Sequence, residues 1–112
     1  MTTPEETPLL DEELVSELAG VPGLLADVLD VFERVGRDSI SALNEAYVKG
    51  DRPEVRRLAH ALKGAAAQVG AARLSALAAR VEIAMRTDTD ASIEGFEEAL
   101  RSAIDAIRER AT

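Results

Sequence analysis

The chain of 112 residues contains no cysteine, no tryptophan and a single histidine. Without cysteine it has no disulfide, no thiol nucleophile and no zinc-thiolate site. One histidine likewise excludes a metal site built from several imidazoles of one chain. Aromatic residues make up only 3% of the sequence, whereas β-sandwiches depend on aromatic and β-branched strands. The core must therefore consist of Leu, Val, Ile and Ala, which are compatible with helices.

The sequence also lacks an excess of positive charge and any long apolar run. Its net charge of −8 argues against nucleic acid and anionic membranes as partners, because both bind basic surfaces. No segment approaches the roughly 18 apolar residues of a membrane span, and the N-terminus has no signal-peptide-like apolar segment. We therefore expect a cytoplasmic protein that binds neither nucleic acid nor membrane.

Positive charge is concentrated in one segment. Residues 51–86 contain seven basic and three acidic side chains, a local balance of +4 in a chain of net charge −8. The only histidine, His60, lies in this segment. Such a basic segment is typical of an anion site, although solvated helix faces carry basic residues as well.

Apolar residues recur at three- and four-residue steps, which predicts amphipathic helices with an inward apolar stripe. In the long segment after Leu24 this stripe includes Val35 and Tyr47. The expected helices are a short one from an Asp11 cap to Gly20, a long one from Leu24 to about Lys49, a third from Asp51 to Gly70, a fourth that includes Leu74 to Met85, and a last one that includes Ile93 to Ile107. Residues 1–8 are expected to form a disordered lead-in to a single domain over residues 9–112. The pattern predicts an all-α fold, an antiparallel four-helix bundle with a short additional N-terminal helix.

His60 lies on the polar face of the third helix. At 100° per residue it points away from the apolar stripe that contains Leu58 and Leu62. Lys63 follows one turn later, where its ammonium reaches an anion placed on the imidazole. Gly64 costs about 1 kcal/mol relative to alanine inside a helix. It leaves the ring edge clear for the close approach of another protein's surface.

The fourth helix contributes a candidate partner for the ring. If the third and fourth helices are antiparallel about a turn near Gly70, Glu82 lies level with His60. A carboxylate that accepts a hydrogen bond from Nδ1 selects the tautomer in which Nε2 is unprotonated and nucleophilic. The alternative is a solvated glutamate on a helix surface.

The segment LAHALKGAAAQVGAARLSALAARVE resembles the core of histidine-containing phosphotransfer (HPt) domains. The family motif is His, any residue, an apolar residue, Lys and Gly, with a further Gly ten residues after the His. It is matched here by His60, Ala61, Leu62, Lys63, Gly64 and Gly70. The resemblance extends from about Leu9 to the C-terminus. Ala65 and Ala66 depart from the family, which often has serine at these positions, so a hydroxyl near the histidine is absent.

The resemblance implies a phosphocarrier rather than an enzyme. In such proteins the histidine Nε2 accepts a phosphoryl group from a receiver domain of a response regulator or hybrid kinase and passes it to another receiver. This exchange is one step of a two-component phosphorelay. By the resemblance, His60 is the phosphoacceptor, Lys63 supports the phosphoryl oxygens and Gly64 provides clearance for docking. The expected partner-binding residues are Arg56, Arg57, Ala61, Ala67 and Gln68.

The chain has no glycine-rich nucleotide loop and no cluster of metal ligands, so catalysis must come from the partner. We expect a monomer without a bound metal or cofactor, and Mg²⁺ on the partner's receiver domain. One alternative is a helical adaptor that binds receivers or other proteins through the same face without carrying phosphate. A carboxylate-bridged metal bundle is a weaker alternative, because the sequence lacks the Glu-x-x-His pairs of such sites.

Overall fold

Five α-helices make up most of residues 3–111, the part of the chain that the computed structural model describes. They are α1 (Glu12–Ala19), α2 (Leu24–Val48), α3 (Arg52–Gln68), α4 (Ala72–Arg86) and α5 (Phe96–Ala111), preceded by one turn of 3-10 helix at Pro4–Glu6. The described residues contain no strand. None of their helices has both the length and the apolar character needed to cross a bilayer.

Helices α2 to α5 form a bundle in which each helix packs on two others. Helix α3 lies between α2 and α4, and α5 closes the bundle by packing on α2 and α4. The largest fully buried side chains include Leu29, Leu62, Leu74, Phe96 and Ile107, so every helix of the bundle contributes to one aliphatic core. The all-α four-helix bundle expected from the periodicity is confirmed.

The short helix α1 packs on α2 and α5, and its first turn meets the connection between α3 and α4. The backbone N–H of Asp11 donates to the Gly70 carbonyl at 2.8 Å, while the Asp11 side chain caps α1. Gly70 has φ of 81°, and a Cβ there would lie 2.6 Å from Val15 Cγ2. Only glycine suits this tight turn, which places α3 and α4 side by side.

Helix α2 approaches α5 closely at Gly36. This residue is buried, and a Cβ on it would lie 2.9 Å from Leu100 Cδ1. The apolar pattern placed Val35 and Tyr47 on the inward stripe of the helix, but they are 40% and 41% exposed. The inward position beside Val35 is taken by the glycine, which a hydrophobic pattern does not register.

The described part of the lead-in, residues 3–8, contains one turn of 3-10 helix at Pro4–Glu6. Its 3-10 turn packs on α4. Arg80 Nη1 lies 2.9 Å from Glu5 Oε1, and Arg73 Nε donates to the Thr7 carbonyl at 3.0 Å. Residues 1 and 2 of the lead-in lie outside the described residues.

The last helix begins later than its apolar pattern suggests. Ile93 was expected within it, whereas α5 starts at Phe96, directly after Gly95 with φ of 88°. Ile93 still packs against the core, from the loop. An apolar pattern indicates which residues pack inward, and here a partly buried loop residue continues the spacing of the helix that follows it.

Candidate functional site

His60 projects from the middle of α3 into solvent, with 70% of its side chain exposed. Behind it, the buried side of the helix carries Val55, Ala59, Leu62 and Ala66. The apolar stripe therefore orients α3 so that the imidazole points outward, as the helical spacing predicts.

The ring is held from α4 by a buried carboxylate. Nδ1 of His60 lies 2.7 Å from Oε2 of Glu82, and Lys63 Nζ donates to Oε1 of the same carboxylate at 3.3 Å. Only 11% of the Glu82 side chain is exposed. An ionised carboxylate only accepts hydrogen bonds, so Nδ1 carries the proton and donates. Nε2 is then the nitrogen left without a proton in the neutral ring.

The charge state of Glu82 follows from two opposing effects. Burial raises the pKa of its carboxyl group, but the hydrogen bonds from His60 and Lys63 and the attraction to both side chains lower it by more. The net pKa lies below the ordinary value of 4.5. Glu82 is therefore ionised at neutral pH and presents a full negative charge to Nδ1.

A further hydrogen bond holds α3 and α4 together at the site. Ser75 Oγ, on α4, donates to the backbone carbonyl of Lys63 at 3.0 Å. This bond acts beside the Glu82 contacts and joins the two helices one turn beyond His60. The packing of α3 on α4 thus positions the ring, the lysine and the carboxylate relative to one another.

Around His60, α3 presents small, exposed positions. Ala61, Gly64, Ala67 and Gln68 are all exposed, and a Cβ built on Gly64 would meet no atom within 4 Å. We call these four residues the flat face. Nothing in the described part of the chain fills the space over Gly64, although a glycine in mid-helix is unfavourable.

An apolar groove between α2 and α3 adjoins the flat face at Gln68. It is lined by Asp27, Val28, Val31, Phe32, Val35, Ala65, Gln68 and Val69. Val31 is 53% exposed at its rim. The sequence pattern did not reveal this groove, because it assigned Val35 to the core.

On the side of His60 away from Lys63 lies a second concavity, between α3 and α4. It is lined by Pro53, Arg56, Arg57, His60, Glu82 and Arg86, and we call it the basic recess. Arg57 is paired with Glu54, with Nε 2.6 Å from Oε1. Arg56 and Arg57 were expected near the site, whereas Arg86 was not singled out. The antiparallel register that placed Glu82 beside His60 also places Arg86, one turn further on, beside Arg56.

The side chains around His60 are suited to group transfer on the ring. Within residues 3–111, no three or more His, Asp or Glu side chains are grouped as metal ligands. The site presents one accessible nitrogen, an ionised partner on the opposite nitrogen and several cations nearby. An exposed nucleophile surrounded by positive charge is suited to an anionic electrophile.

Comparison with known proteins gives two matches. A sequence model of the Hpt domain family matches residues 27–110. Among solved structures, the chain is similar to the crystal structure of histidine-containing phosphotransfer protein B (HptB) from Pseudomonas aeruginosa PAO1, with a TM-score of 0.67 and 21% sequence identity. The similarity covers 93% of this chain and 89% of that one, and at this identity it shows a shared fold. No curated protein matches the chain significantly.

Proposed function

The chain belongs to the Hpt domain family, and from this membership we propose that it is a phosphocarrier of a multistep phosphorelay. His60 receives a phosphoryl group from the aspartate of one receiver domain and passes it to another. The observation that carries the proposal is the exposed imidazole whose Nδ1 is engaged by Glu82 at 2.7 Å. The chain itself is a carrier, and the catalytic groups belong to the receiver or kinase.

In the transfer step, Nε2 attacks the phosphorus of the aspartyl phosphate in line with the acyl-phosphate oxygen. The P–Nε2 bond forms as the P–O bond breaks, and the aspartate leaves as a carboxylate with the electron pair. The ring keeps its proton on Nδ1 and gains positive charge. The carboxylate of Glu82 stabilises that charge. Transfer to the second receiver runs through the same steps in reverse.

Lys63 supports the transferred group from one side of the ring. Its ammonium now donates to Glu82 Oε1, and 34% of its side chain is exposed. An ammonium has three donors, so Lys63 contacts a phosphoryl oxygen while it keeps the carboxylate contact. The receiver domain supplies the divalent cation, expected to be Mg²⁺, that neutralises charge during phosphoryl transfer.

The receiver domain docks over the flat face and extends onto the apolar groove. Gly64 allows the partner's backbone to approach the ring closely, because no side chain stands there. The exposed rim of the groove at Val31 continues this surface away from the charged groups. Such a footprint places apolar contacts beyond Lys63 on α3 and leaves the arginine-lined concavity on the other side of the phosphoryl group.

The test is transfer from a receiver domain that carries radiolabelled phosphate. We expect acid-labile, alkali-stable label on the wild-type chain and none on His60→Gln, which keeps a polar side chain of similar length but has no nucleophilic nitrogen. Circular dichroism checks that the variant is folded. Label that persists in His60→Gln contradicts the proposal. Receiver binding without any transfer, unchanged by His60→Ala and Lys63→Ala, would instead support the adaptor function.

A further inference from the structure

The basic recess beside His60 contains more positive charge than the protein neutralises. Of its three arginines, Arg57 forms an ion pair with Glu54. The carboxylate of Glu82 is occupied by His60 and Lys63. Within residues 3–111, the side chains of Arg56 and Arg86 make no hydrogen bond and no ion pair. Two guanidinium groups that line the same recess as the imidazole therefore have no neutralising partner.

A shortage of carboxylates does not explain why these two arginines lack an ion-pair partner. The chain carries 21 acidic and 13 basic side chains, and most of its arginines find a partner. Arg37, Arg80 and Arg110 are paired within 3 Å of a carboxylate oxygen. The other cations without a partner in the described residues are Arg34, Lys49 and Arg101. None of those three lines the recess.

The two arginines lie level with each other along the axes of the antiparallel helices α3 and α4. Arg56 is one turn before His60 on α3, and Arg86 is one turn after Glu82 on α4. Because α3 and α4 are antiparallel, both lie on the same side of the His60–Glu82 contact. Lys63, one turn after His60, lies on the opposite side. A group attached to Nε2 is thus flanked by Lys63 on one side and by two guanidinium groups on the other.

We propose that Arg56 and Arg86 form an anion site that holds the phosphoryl group carried on Nε2 of His60. The inference rests on the proposed function and names two side chains that bind the transferred group. A phosphoryl group carries a charge of about −1.5 to −2 at pH 7, which matches two guanidinium groups. Arginine also presents its N–H donors in a planar fork that fits phosphoryl oxygens.

The test uses the isolated chain, so that no partner contact contributes. Phosphoramidate is the phosphoryl donor: its P–N bond breaks as the P–Nε2 bond forms, and ammonia leaves. Because His60 is the only histidine, the phosphohistidine gives a single phosphorus NMR signal. The pH dependence of that signal reports the pKa at which the phosphoryl group loses its last proton.

We expect this phosphoryl pKa to be higher in the Arg56→Gln/Arg86→Gln double variant than in wild type by about half a unit. Nearby cations favour the dianion, so their removal favours the protonated form. Lys63, Arg57 and Glu82 also face the group and are retained in every variant. Arg101→Gln is the matched control, since it removes one exposed, unpaired arginine from the α2–α5 side and is expected to leave the pKa unchanged.

The outcomes separate this inference from the proposed function. If His60 takes no phosphoryl group in wild type from either phosphoramidate or a receiver, the proposed function fails, and the inference fails with it. If His60 is phosphorylated and the double variant titrates like wild type, only the inference is wrong. Unchanged titration with weaker receiver binding would assign the arginines to the partner's carboxylates and would also overturn it.

Discussion

Two glycines stand inside long helices of this protein, and they are there for different reasons. Each costs about 1 kcal/mol relative to alanine at such a position. Gly36, on α2, is buried, and a Cβ there would lie 2.9 Å from Leu100 Cδ1. Gly64, on α3, faces open space with no atom within 4 Å of a built Cβ. The packing of the bundle explains Gly36, whereas no contact in the described residues explains Gly64, which fits the proposed docking of a receiver domain at this position.

The charged side chains also differ between the two regions. On the side formed by α1, α2 and α5, Arg108 bonds to Glu33, Arg37 bonds to Glu33 as well, and Arg110 pairs with Glu12 at 2.6 Å. Other arginines on that side lack a partner in the described residues, but they do not lie beside His60. At the α3–α4 face, Arg56 and Arg86 have no side-chain partner in the described residues and line one recess with the exposed imidazole.

The largest expected effect is that of a side chain at the open glycine. Gly64→Leu is expected to slow transfer from a phosphorylated receiver roughly ten- to hundredfold, because overpacking of a fitted surface costs about 1–3 kcal/mol. Phosphorylation by phosphoramidate, a donor too small to need docking, is the control and is expected to persist. Receiver transfer at the wild-type rate would show that Gly64 is not under the partner.

A side chain at the buried glycine is expected to change stability instead. Gly36→Val places methyl groups against Leu100 and is expected to lower the free energy of unfolding by about 1–3 kcal/mol. Urea denaturation followed by circular dichroism measures this value. The folded variant should transfer phosphate at the wild-type rate. A loss of transfer with unchanged stability would contradict the assignment of Gly36 to packing and would give it a part in transfer instead.

An intermediate effect is expected for Glu82→Gln, which keeps the shape of the side chain but removes its charge. Transfer is expected to slow severalfold, since the positive charge of the phosphorylated ring is less well stabilised. The variant should also be less stable than wild type by about 1 kcal/mol at pH 7.

The stability difference between Glu82→Gln and wild type has a definite dependence on pH. The folded-state pKa of Glu82 lies below its ordinary value of 4.5, so the ionised carboxylate stabilises the fold fully above that value. This contribution is lost as the pH falls through the lower folded-state pKa. Unfolding curves of wild type and variant, compared between pH 7 and pH 3, are expected to converge in acid. A constant difference would mean that the charge of Glu82 does not stabilise the fold.

The smallest expected effect is a gain in stability. Gly64→Ala is expected to raise the free energy of unfolding by up to about 1 kcal/mol, since alanine favours the helix and the added methyl group meets nothing. Thermal unfolding with Ala61→Gly as the opposite exchange on the same exposed surface checks the value. A destabilised Gly64→Ala variant would show that the fold itself requires this glycine.

The sequence was sufficient for the features that depend on local pattern. The Asp11 cap of α1 and the outward position of His60 follow from local residue types and helical spacing. The contact between Glu82 and the ring followed from one tertiary assumption, an antiparallel hairpin about Gly70. The same assumption, continued by one turn, places Arg86 beside Arg56.

Other features depend on contacts between distant segments and leave no local signal. The exposure of Val35 results from the approach of α2 to α5 at Gly36, which joins residues 64 positions apart in the chain. The 3-10 turn at Pro4–Glu6 packs on α4 through pairs such as Glu5 and Arg80. A pattern read along one helix does not contain such contacts.

The measurement that tests the account most directly is the identity of the phosphorylated atom. In protein labelled with nitrogen-15 and phosphorylated by a receiver domain, the coupling between phosphorus and nitrogen shows which ring nitrogen carries the group. We expect phosphorus on Nε2 of His60 and a proton on Nδ1, because Glu82 engages Nδ1 at 2.7 Å. Phosphorus on Nδ1, or on any side chain other than His60, would contradict it.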